Sequence, residues 1–189
     1  VGRAHPHVDI RIAHPETGET LSRGETGEFC TRGYSVMSGY WEDPVKTTEA
    51  IDEAGWMHTG DLAVMGPDGT VQIVGRIKDM VIRGGENIYP REIEEFLYTH
   101  PEIEEVQVIG VPDKVYGEQL MAWIKRKPDL ASPQLVSQDD LKAFCAGKIA
   151  HYKVPHYVQF VETFPMTVTG KIRKVEMRAR SIKALGLEV

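Results

Sequence analysis

The chain has 189 residues, of which 22 are lysine or arginine and 28 are aspartate or glutamate, giving a net charge of −6. This balance does not favour a bulk attraction to nucleic acid or to anionic membrane surfaces, so we expect no nucleic-acid partner. Hydrophobic residues make up 41% of the chain, which is enough for a packed core. No apolar run approaches the roughly 20 residues that a membrane span needs.

The two cysteines, Cys30 and Cys145, lie far apart and lack the spacing of metal ligands. Because the sequence shows no secretory segment, we expect free, partly buried thiols in a reducing compartment, and therefore a cytoplasmic location. The first residue is Val1 and the chain starts within strand-like sequence. We therefore expect a fragment of a longer protein.

The first 75 residues are typical of a β-rich region. Apolar and polar residues alternate over residues 8–12, and turn-like segments frame a second strand at 28–32. Further elements are predicted as a short helix at 44–51, strands at 56–65 and 70–74, and a hairpin turn at 66–69. Many short strands joined by tight turns predict a small β-barrel-like subdomain.

After residue 78 the sequence predicts helices alternating with strands. The predicted helices cover residues 90–100, a segment that begins at the N-cap Ser137, and residues 175–185. The predicted strands cover residues 106–111, 120–124 and 157–161. The fold class is therefore α+β, with the β-rich subdomain in residues 1–77 and a compact α+β domain in residues 78–189.

Residues 75–90 join these two regions and contain the pair Gly84-Gly85 after a short apolar run. Glycines allow a backbone to approach a ligand more closely than residues with side chains do. Pro90 suits the first position of a helix. From spacing alone, the plainer interpretation is a β-bulge followed by a helix start.

Two short polar motifs carry chemistry that depends on their context. In Thr-Gly-Asp at 59–61, the carboxylate of Asp61 follows a predicted strand and could accept hydrogen bonds from the two hydroxyls of a ribose. In Thr-Gly-Lys at 169–171, Lys171 offers a single positive charge. Taken alone, the first motif is usually a turn and the second an exposed surface lysine.

Together, these two motifs and the block at residues 75–90 resemble the adenylate-forming enzymes. This superfamily includes the acyl-CoA synthetases, the adenylation domains of peptide synthetases and firefly luciferase. The resemblance covers essentially the whole chain in the same order. Within the superfamily the chain is most similar to a fatty-acid or aryl-acid:CoA ligase.

The resemblance implies a role for individual residues. Asp61 corresponds to the aspartate that binds the ribose hydroxyls of ATP, and Arg76 to an arginine that also reaches the nucleotide. Lys78 stands at the position of the hinge. Gly84 and Gly85 match the loop that lines the pantetheine tunnel.

Lys171 matches the lysine that neutralises the carboxylate and phosphate charges during adenylation. The segment from Pro165 to Lys171 also fits the Pro-x₄-Gly-Lys pattern that is acetylated in related bacterial enzymes, which implies a lysine acetyltransferase as a partner. Removing the charge would then act like an alanine substitution.

The implied reaction converts a carboxylic acid and ATP into an acyl-adenylate and pyrophosphate, after which CoA attacks to release AMP. The Gly-rich phosphate loop and the block with the Mg²⁺-binding glutamate are missing from the sequence. We therefore expect the Mg²⁺ ligands, the acyl pocket and the remaining N-terminal domain to lie outside this chain, which alone should be inactive. Residues 1–77 would be the last subdomain of that domain, and residues 78–189 a mobile C-terminal lid.

Two alternatives remain open from the sequence. The first is an amino-acid adenylation domain that loads a carrier protein, although the run of residues 84–90 is more similar to CoA ligases. The second is a non-catalytic scaffold or ligand-binding domain of the same fold. The joint presence of Asp61, Arg76 and Lys171 argues against it.

Overall fold

A computed structural model describes residues 1–128 and 137–187 of the chain. The chain divides into two compact units, Val1–Lys78 and Asp79–Val189. The sequence places the boundary at residues 77/78, one residue earlier. The parts of the predicted second domain at 129–136 and 188–189 lie outside the described residues.

The first unit is built on a four-stranded antiparallel sheet in the order β1-β2-β3-β4. Its elements are β1 (Val8–Ala13), β2 (Thr26–Gly33), helix α1 (Pro44–Ala50), β3 (Met57–Met65) and β4 (Val71–Arg76). Each predicted strand and the predicted helix are present. Ile12, Ala63 and Val71 are buried on one face of the sheet.

This sheet is open and does not form the closed barrel that the β-rich sequence suggested. Small barrels with packed interiors have about eight strands, because closure requires many tilted strands with a consistent stagger. Here the edge strands β1 and β4 are not paired with each other. Gly2, before β1, instead forms one isolated bridge with Val71 of β4.

Within the residues that the structure describes, the second unit is a mixed sheet with three α-helices, which confirms the α+β class. Its strands are β5 (Val81–Arg83), β6 (Glu86–Ile88), β7 (Ile103–Asp113), β8 (Gly117–Arg126) and β9 (Tyr157–Phe160). Its helices are α2 (Pro90–Leu97), α3 (Gln138–Cys145) and α4 (Lys174–Leu185). Strand β8 lies centrally, with antiparallel neighbours β5 and β7 and the parallel neighbour β9.

Strand β8 is buried on both faces because helices cover each side of the sheet. Leu120, Ala122 and Ile124 belong to a core cluster that also contains residues of α2 and α3. The alternate residues Met121 and Trp123 pack in a second cluster with Met177 of α4. A strand covered on both faces explains the continuous apolar run in its sequence.

The helix starts follow from local chemistry. Pro90 occupies the first turn of α2, where its missing N–H has no partner to lose. The predicted N-cap at Ser137 is confirmed. Its hydroxyl accepts a hydrogen bond from the Asp140 N–H, and the Asp140 carboxylate accepts one in return from the Ser137 N–H at 2.9 Å.

Among the described residues, no helix combines the length and the apolar character that crossing a bilayer requires.

Candidate functional site

The Thr-Gly-Asp motif lies in a bulge of β3. Between the paired residues Glu28–Leu62 and Cys30–His58, strand β2 contributes one residue while β3 contributes three, residues 59–61. The ladder is therefore interrupted, and the extra residues of β3 leave the regular pleat. Such a bulge redirects a side chain that would otherwise alternate in and out of the sheet.

Three hydrogen bonds hold this bulge. The Thr59 hydroxyl donates to the Phe29 carbonyl at 2.7 Å and accepts from the Asp61 N–H at 3.1 Å. The Gly60 N–H donates to Oε1 of Glu28 at 3.0 Å. Gly60 has φ = 71°, a left-handed conformation that a glycine adopts at no steric cost.

Asp61 ends the bulge and lies beside Arg76, its register partner on β4. The Arg76 Nε–H donates to Oδ1 of Asp61 at 3.1 Å. The Asp61 side chain is 34% exposed and the Arg76 side chain 57% exposed, so both reach solvent. The structure therefore brings together the two residues that the sequence assigns to nucleotide binding.

A buried polar cluster lies behind the bulge. The Glu28 carboxylate is buried, and its Oε2 lies 2.7 Å from Nδ1 of His58. The Cys30 sulfur lies 3.6 Å from the same nitrogen and 3.9 Å from Oε2 of Glu28. These three side chains could offer metal ligands within 4.8 Å of one another.

The chemistry of this cluster favours hydrogen bonding over metal binding. Burial, and then the negative charge of Glu28, raise the pKa of the Cys30 thiol to about 11, so the sulfur stays protonated at neutral pH. Both oxygens of Glu28 already have partners, Gly60 and His58. The set does not fit Mg²⁺, which prefers oxygen ligands in octahedral geometry. Cys30 and Cys145 are both free and buried.

Lys171 lies on a small exposed turn of the second unit. The turn is closed by a bridge between Met166 and Ile172. The Thr167 N–H donates to the Lys171 carbonyl at 2.8 Å, and the Lys171 N–H donates to the Thr167 hydroxyl at 3.0 Å. The backbone of Lys171 is thus fixed, while its side chain is exposed and forms no ion pair with the residues that the structure describes.

Lys78 lies in the one-turn 3₁₀ helix Ile77–Asp79 and is exposed. It is the last residue of the first compact unit. Its position at the point where the chain passes from the first compact unit to the second is compatible with a hinge.

Gly84 and Gly85 form the two-residue turn of the β5–β6 hairpin, so the β-bulge expected from spacing alone is not observed. Their φ angles are 60° and 86°. Two-residue hairpins favour turns with positive φ at both central residues, because these match the twist of the strands. A Cβ at Gly84 would lie 3.3 Å from the Tyr116 ring, whereas one at Gly85 would have no neighbour within 4 Å.

Comparisons with known families agree with this arrangement. A model described as "AMP-binding enzyme" matches residues 1–41, and a model described as "AMP-binding enzyme C-terminal domain" matches residues 92–171. The chain belongs to the adenylate-forming, AMP-binding enzymes. The family resemblance inferred from the sequence motifs is thereby confirmed.

Several members of this family are similar over nearly the whole chain. YngI of Bacillus subtilis, whose name assigns it provisionally to the acyl-CoA synthetases, is 54% identical over 186 residues, which are 98% of this chain and 33% of YngI. Human mitochondrial medium-chain acyl-CoA ligase ACSF2 is 48% identical over 187 residues, which are 99% of this chain and 30% of ACSF2. The chain thus spans about a third of the length of these relatives.

The fold is shared with solved structures of the family. ATP-bound MatB from Rhodopseudomonas palustris superimposes with a TM-score of 0.89 at 36% identity, covering 98% of this chain and 36% of MatB. The described elements therefore follow the adenylate-forming architecture.

Glu28, which contacts the bulge, and His58, which contacts Glu28, were not selected from the sequence. Both lie in predicted strands, at 28–32 and 56–65. The only sequence feature that could have drawn attention to them is a titratable residue within a predicted strand. Which residues face each other depends on the register between strands. The bulge changes that register by two residues, and no local pattern predicts this.

Proposed function

We propose that this chain is the C-terminal part of an ATP-dependent acyl-CoA synthetase. The enzyme would join a carboxylic acid to AMP with release of pyrophosphate, and CoA would then attack the acyl-adenylate to give acyl-CoA and AMP. Support comes from the names of two similar proteins, YngI and the medium-chain acyl-CoA ligase ACSF2. A fatty or aryl acid is the proposed substrate class, within fatty-acid metabolism.

The observation that carries this proposal is the position of Asp61, which lies at the end of the β3 bulge and next to Arg76 of β4, with both side chains reaching solvent. A carboxylate can accept hydrogen bonds from both hydroxyls of a ribose. A guanidinium beside it offers further donors in a rigid fork to the nucleotide. We assign ATP binding to these two side chains.

Lys171 would act in the first half-reaction. Its exposed ammonium, on a turn of fixed backbone, can neutralise the charge that accumulates where a carboxylate meets a triphosphate. Orienting the two reactants would add to this effect. Acetylation of Lys171 by a lysine acetyltransferase would remove the charge and suppress adenylation.

The second half-reaction would use other residues of the same chain. Lys78 would be the hinge about which residues 79–189 move as a lid. The Gly84-Gly85 turn would line the channel for the pantetheine arm of CoA. Mg²⁺ and the acyl group would be bound by residues outside this chain, and the two buried thiols support a cytoplasmic location.

The test is pyrophosphate release by the full-length protein that carries this sequence, with fatty, aryl and amino acids supplied in turn. A CoA ligase should release pyrophosphate with fatty or aryl acids and form a CoA thioester. Amino-acid activation with transfer to a carrier protein would support the adenylation-domain alternative instead. Failure of every acid to release pyrophosphate would support a non-catalytic role.

A further inference from the structure

We propose that Glu28 and His58 are positioning residues for nucleotide binding. They hold the peptide of Gly60, and through it they direct the carboxylate of Asp61 towards the ribose. This inference rests on the proposed function, because it presumes that Asp61 binds ATP.

The bulge requires support from outside the β-ladder. Residues 59–61 oppose the single residue Phe29, so the regular exchange of backbone hydrogen bonds is interrupted along this segment. Asp61 itself pairs with Arg76 on β4, but the two residues before it, Thr59 and Gly60, have no register partner on β2 or β4, so the peptides that lead into Asp61 depend on side-chain contacts. The Thr59 hydroxyl and the Glu28 carboxylate contact those peptides.

Glu28 is suited to this task by its burial. The residue is 7% exposed, and a buried carboxylate without donors would be strongly unfavourable. Its Oε1 accepts from the Gly60 N–H at 3.0 Å, a hydrogen bond strengthened by the negative charge. A Cβ at Gly60 would meet no atom within 4 Å. Gly60 is therefore needed for its left-handed backbone, which aims the N–H at Glu28, and not for packing.

His58 orients the carboxylate from the other side. Its Nδ1 lies 2.7 Å from Oε2 of Glu28, and its Nε2 lies 3.7 Å from Oδ2 of Asp52. Asp52 is itself held, because its Oδ1 accepts from the Trp56 N–H at 2.8 Å and its Oδ2 lies 3.6 Å from the Arg11 guanidinium. The imidazole thus lies between two fixed carboxylates. Rotation of Glu28 away from Gly60 would break this chain of contacts.

The same cluster contains a matched control. Cys30 lies 3.9 Å from Oε2 of Glu28 but makes no hydrogen bond to residues 59–61 within the described structure. Replacing it by alanine removes one weak sulfur donor to Glu28 and leaves the contacts of Glu28 with Gly60 and His58 in place.

The experiment compares the affinity of the full-length protein for ATP and for 2′,3′-dideoxy-ATP by calorimetry. Wild type should bind ATP more tightly, because the analogue lacks the hydroxyls that Asp61 would accept. Glu28→Met should weaken ATP binding by about tenfold to a hundredfold, the effect of losing a hydrogen bond to a charged group, and should leave dideoxy-ATP binding unchanged. Glu28→Gln should recover most of the affinity, because its amide oxygen can still accept from Gly60. Cys30→Ala should bind both nucleotides like wild type.

A second pair of variants covers the case in which Glu28→Met does not fold, as a thermal melt would show. Thr59→Val keeps the shape of the side chain but loses the hydroxyl that contacts Phe29 and Asp61. It should also reduce the discrimination between ATP and its dideoxy analogue. Thr59→Ser keeps the hydroxyl and should restore that discrimination.

The outcomes separate this inference from the proposed function. If wild type discriminates between the nucleotides and a folded Glu28→Met variant still does, the positioning role is wrong. If Glu28→Met does not fold, retained discrimination by Thr59→Val overturns the role of the bulge contacts. Equal loss of affinity for both nucleotides would also overturn it, because this indicates general disruption. If wild type binds ATP and discriminates but activates no acid, the ligase proposal fails and the positioning role stands. If wild type binds ATP and its dideoxy analogue equally well, the proposed role of Asp61 is wrong, and the positioning role is wrong as well.

Discussion

The bulge at residues 59–61 and the turn at residues 167–171 show two ways of presenting a charged side chain. In the bulge, a buried carboxylate and a threonine hydroxyl hold the backbone, and Asp61 is paired with Arg76. In the turn, a threonine also fixes the backbone, but the side chain of Lys171 is exposed. The Asp61 side chain is held by its contact with Arg76, whereas only the backbone of Lys171 is held.

This difference suits the different chemical tasks that we propose for Asp61 and Lys171. A ribose presents two hydroxyls in a fixed geometry, so a directed carboxylate is an advantage. A lysine ammonium is a compact charge on a flexible stem, and it can follow charge that changes position during a reaction. We therefore expect substitutions near Asp61 to act through orientation, and substitutions at Lys171 to act through charge.

The largest expected effect is that of Lys171→Ala. Adenylate formation in the full-length protein should slow by about 10² to 10³, the usual result of removing one electrostatic group, while thioester formation from supplied acyl-adenylate persists. Folding stability should not change, because the side chain is exposed. Single-turnover measurements of each half-reaction test this. Lys171→Gln, which resembles the acetylated residue, should match the alanine variant, and equal losses in both half-reactions would indicate a structural lysine instead.

The second prediction concerns Lys78, at the end of the first unit. Proline fixes φ near −65° and removes a donor, so Lys78→Pro should restrict the backbone rotation that a hinge requires. We expect adenylation to continue and thioester formation to fall by about 10², the effect of a misplaced reactive group. Lys78→Ala, which keeps the backbone free, should form acyl-CoA normally. If the proline variant forms acyl-CoA at the wild-type rate, Lys78 is not the hinge.

Periodicity predicted the longer elements of this fold, and tertiary pairing determined the rest. The alternation at residues 8–12 and the helical spacing from Pro90 both correspond to observed elements. By contrast, β5 and β6 have three residues each, too few for a period-two pattern. The sequence could not distinguish the open sheet of the first unit from a barrel, because the residue pattern of a strand does not specify whether the two edge strands of a sheet pair with each other.

The site was predictable to the extent that its chemistry is local. Asp61 and Lys171 each stand in a three-residue motif. Glu28 lies 32 residues from Gly60, its hydrogen-bond partner, so their contact depends on strand register and on the bulge. Local motifs therefore selected Asp61 and Lys171 as candidates, and no local motif pointed to Glu28 behind the bulge.

The third prediction tests how the turn of Lys171 is anchored. Helix α4 begins at Lys174, whose ammonium donates to Oε1 of Glu94 at 2.7 Å and to the Val108 carbonyl at 3.1 Å. The side chains of Lys174 and Glu94 are 22% and 12% exposed. Lys174→Met would leave these acceptors with fewer donors and should lower the unfolding free energy by about 1–3 kcal/mol.

Hydrogen-exchange protection of β7 amides measures that loss within the second unit. The matched control is Arg91→Met, which removes an exposed pair with Glu95 and should cost less than about 0.5 kcal/mol. Equal effects of the two substitutions would contradict a special anchoring role for Lys174.

The smallest expected effect separates the conformation of the Gly84-Gly85 turn from its proposed contact with CoA. Gly85 has φ = 86°, so Gly85→Ala should lower the unfolding free energy by about 1–2 kcal/mol, the cost of a left-handed conformation for an L-residue with a Cβ. Gly85→Trp would add obstruction of the proposed CoA channel to the same backbone strain. Comparison with Gly85→Ala therefore shows how much of its loss of thioester formation comes from the obstruction. Gly84→Asn suits the first position of such a turn and should cost less, although its Cβ approaches Tyr116.

Hydrogen exchange of β5 and β6 amides reports the strain, and thioester formation reports the obstruction. If Gly85→Ala impairs thioester formation as much as Gly85→Trp does, the conformation of the turn is what matters, and the glycines do not act by leaving space for pantetheine.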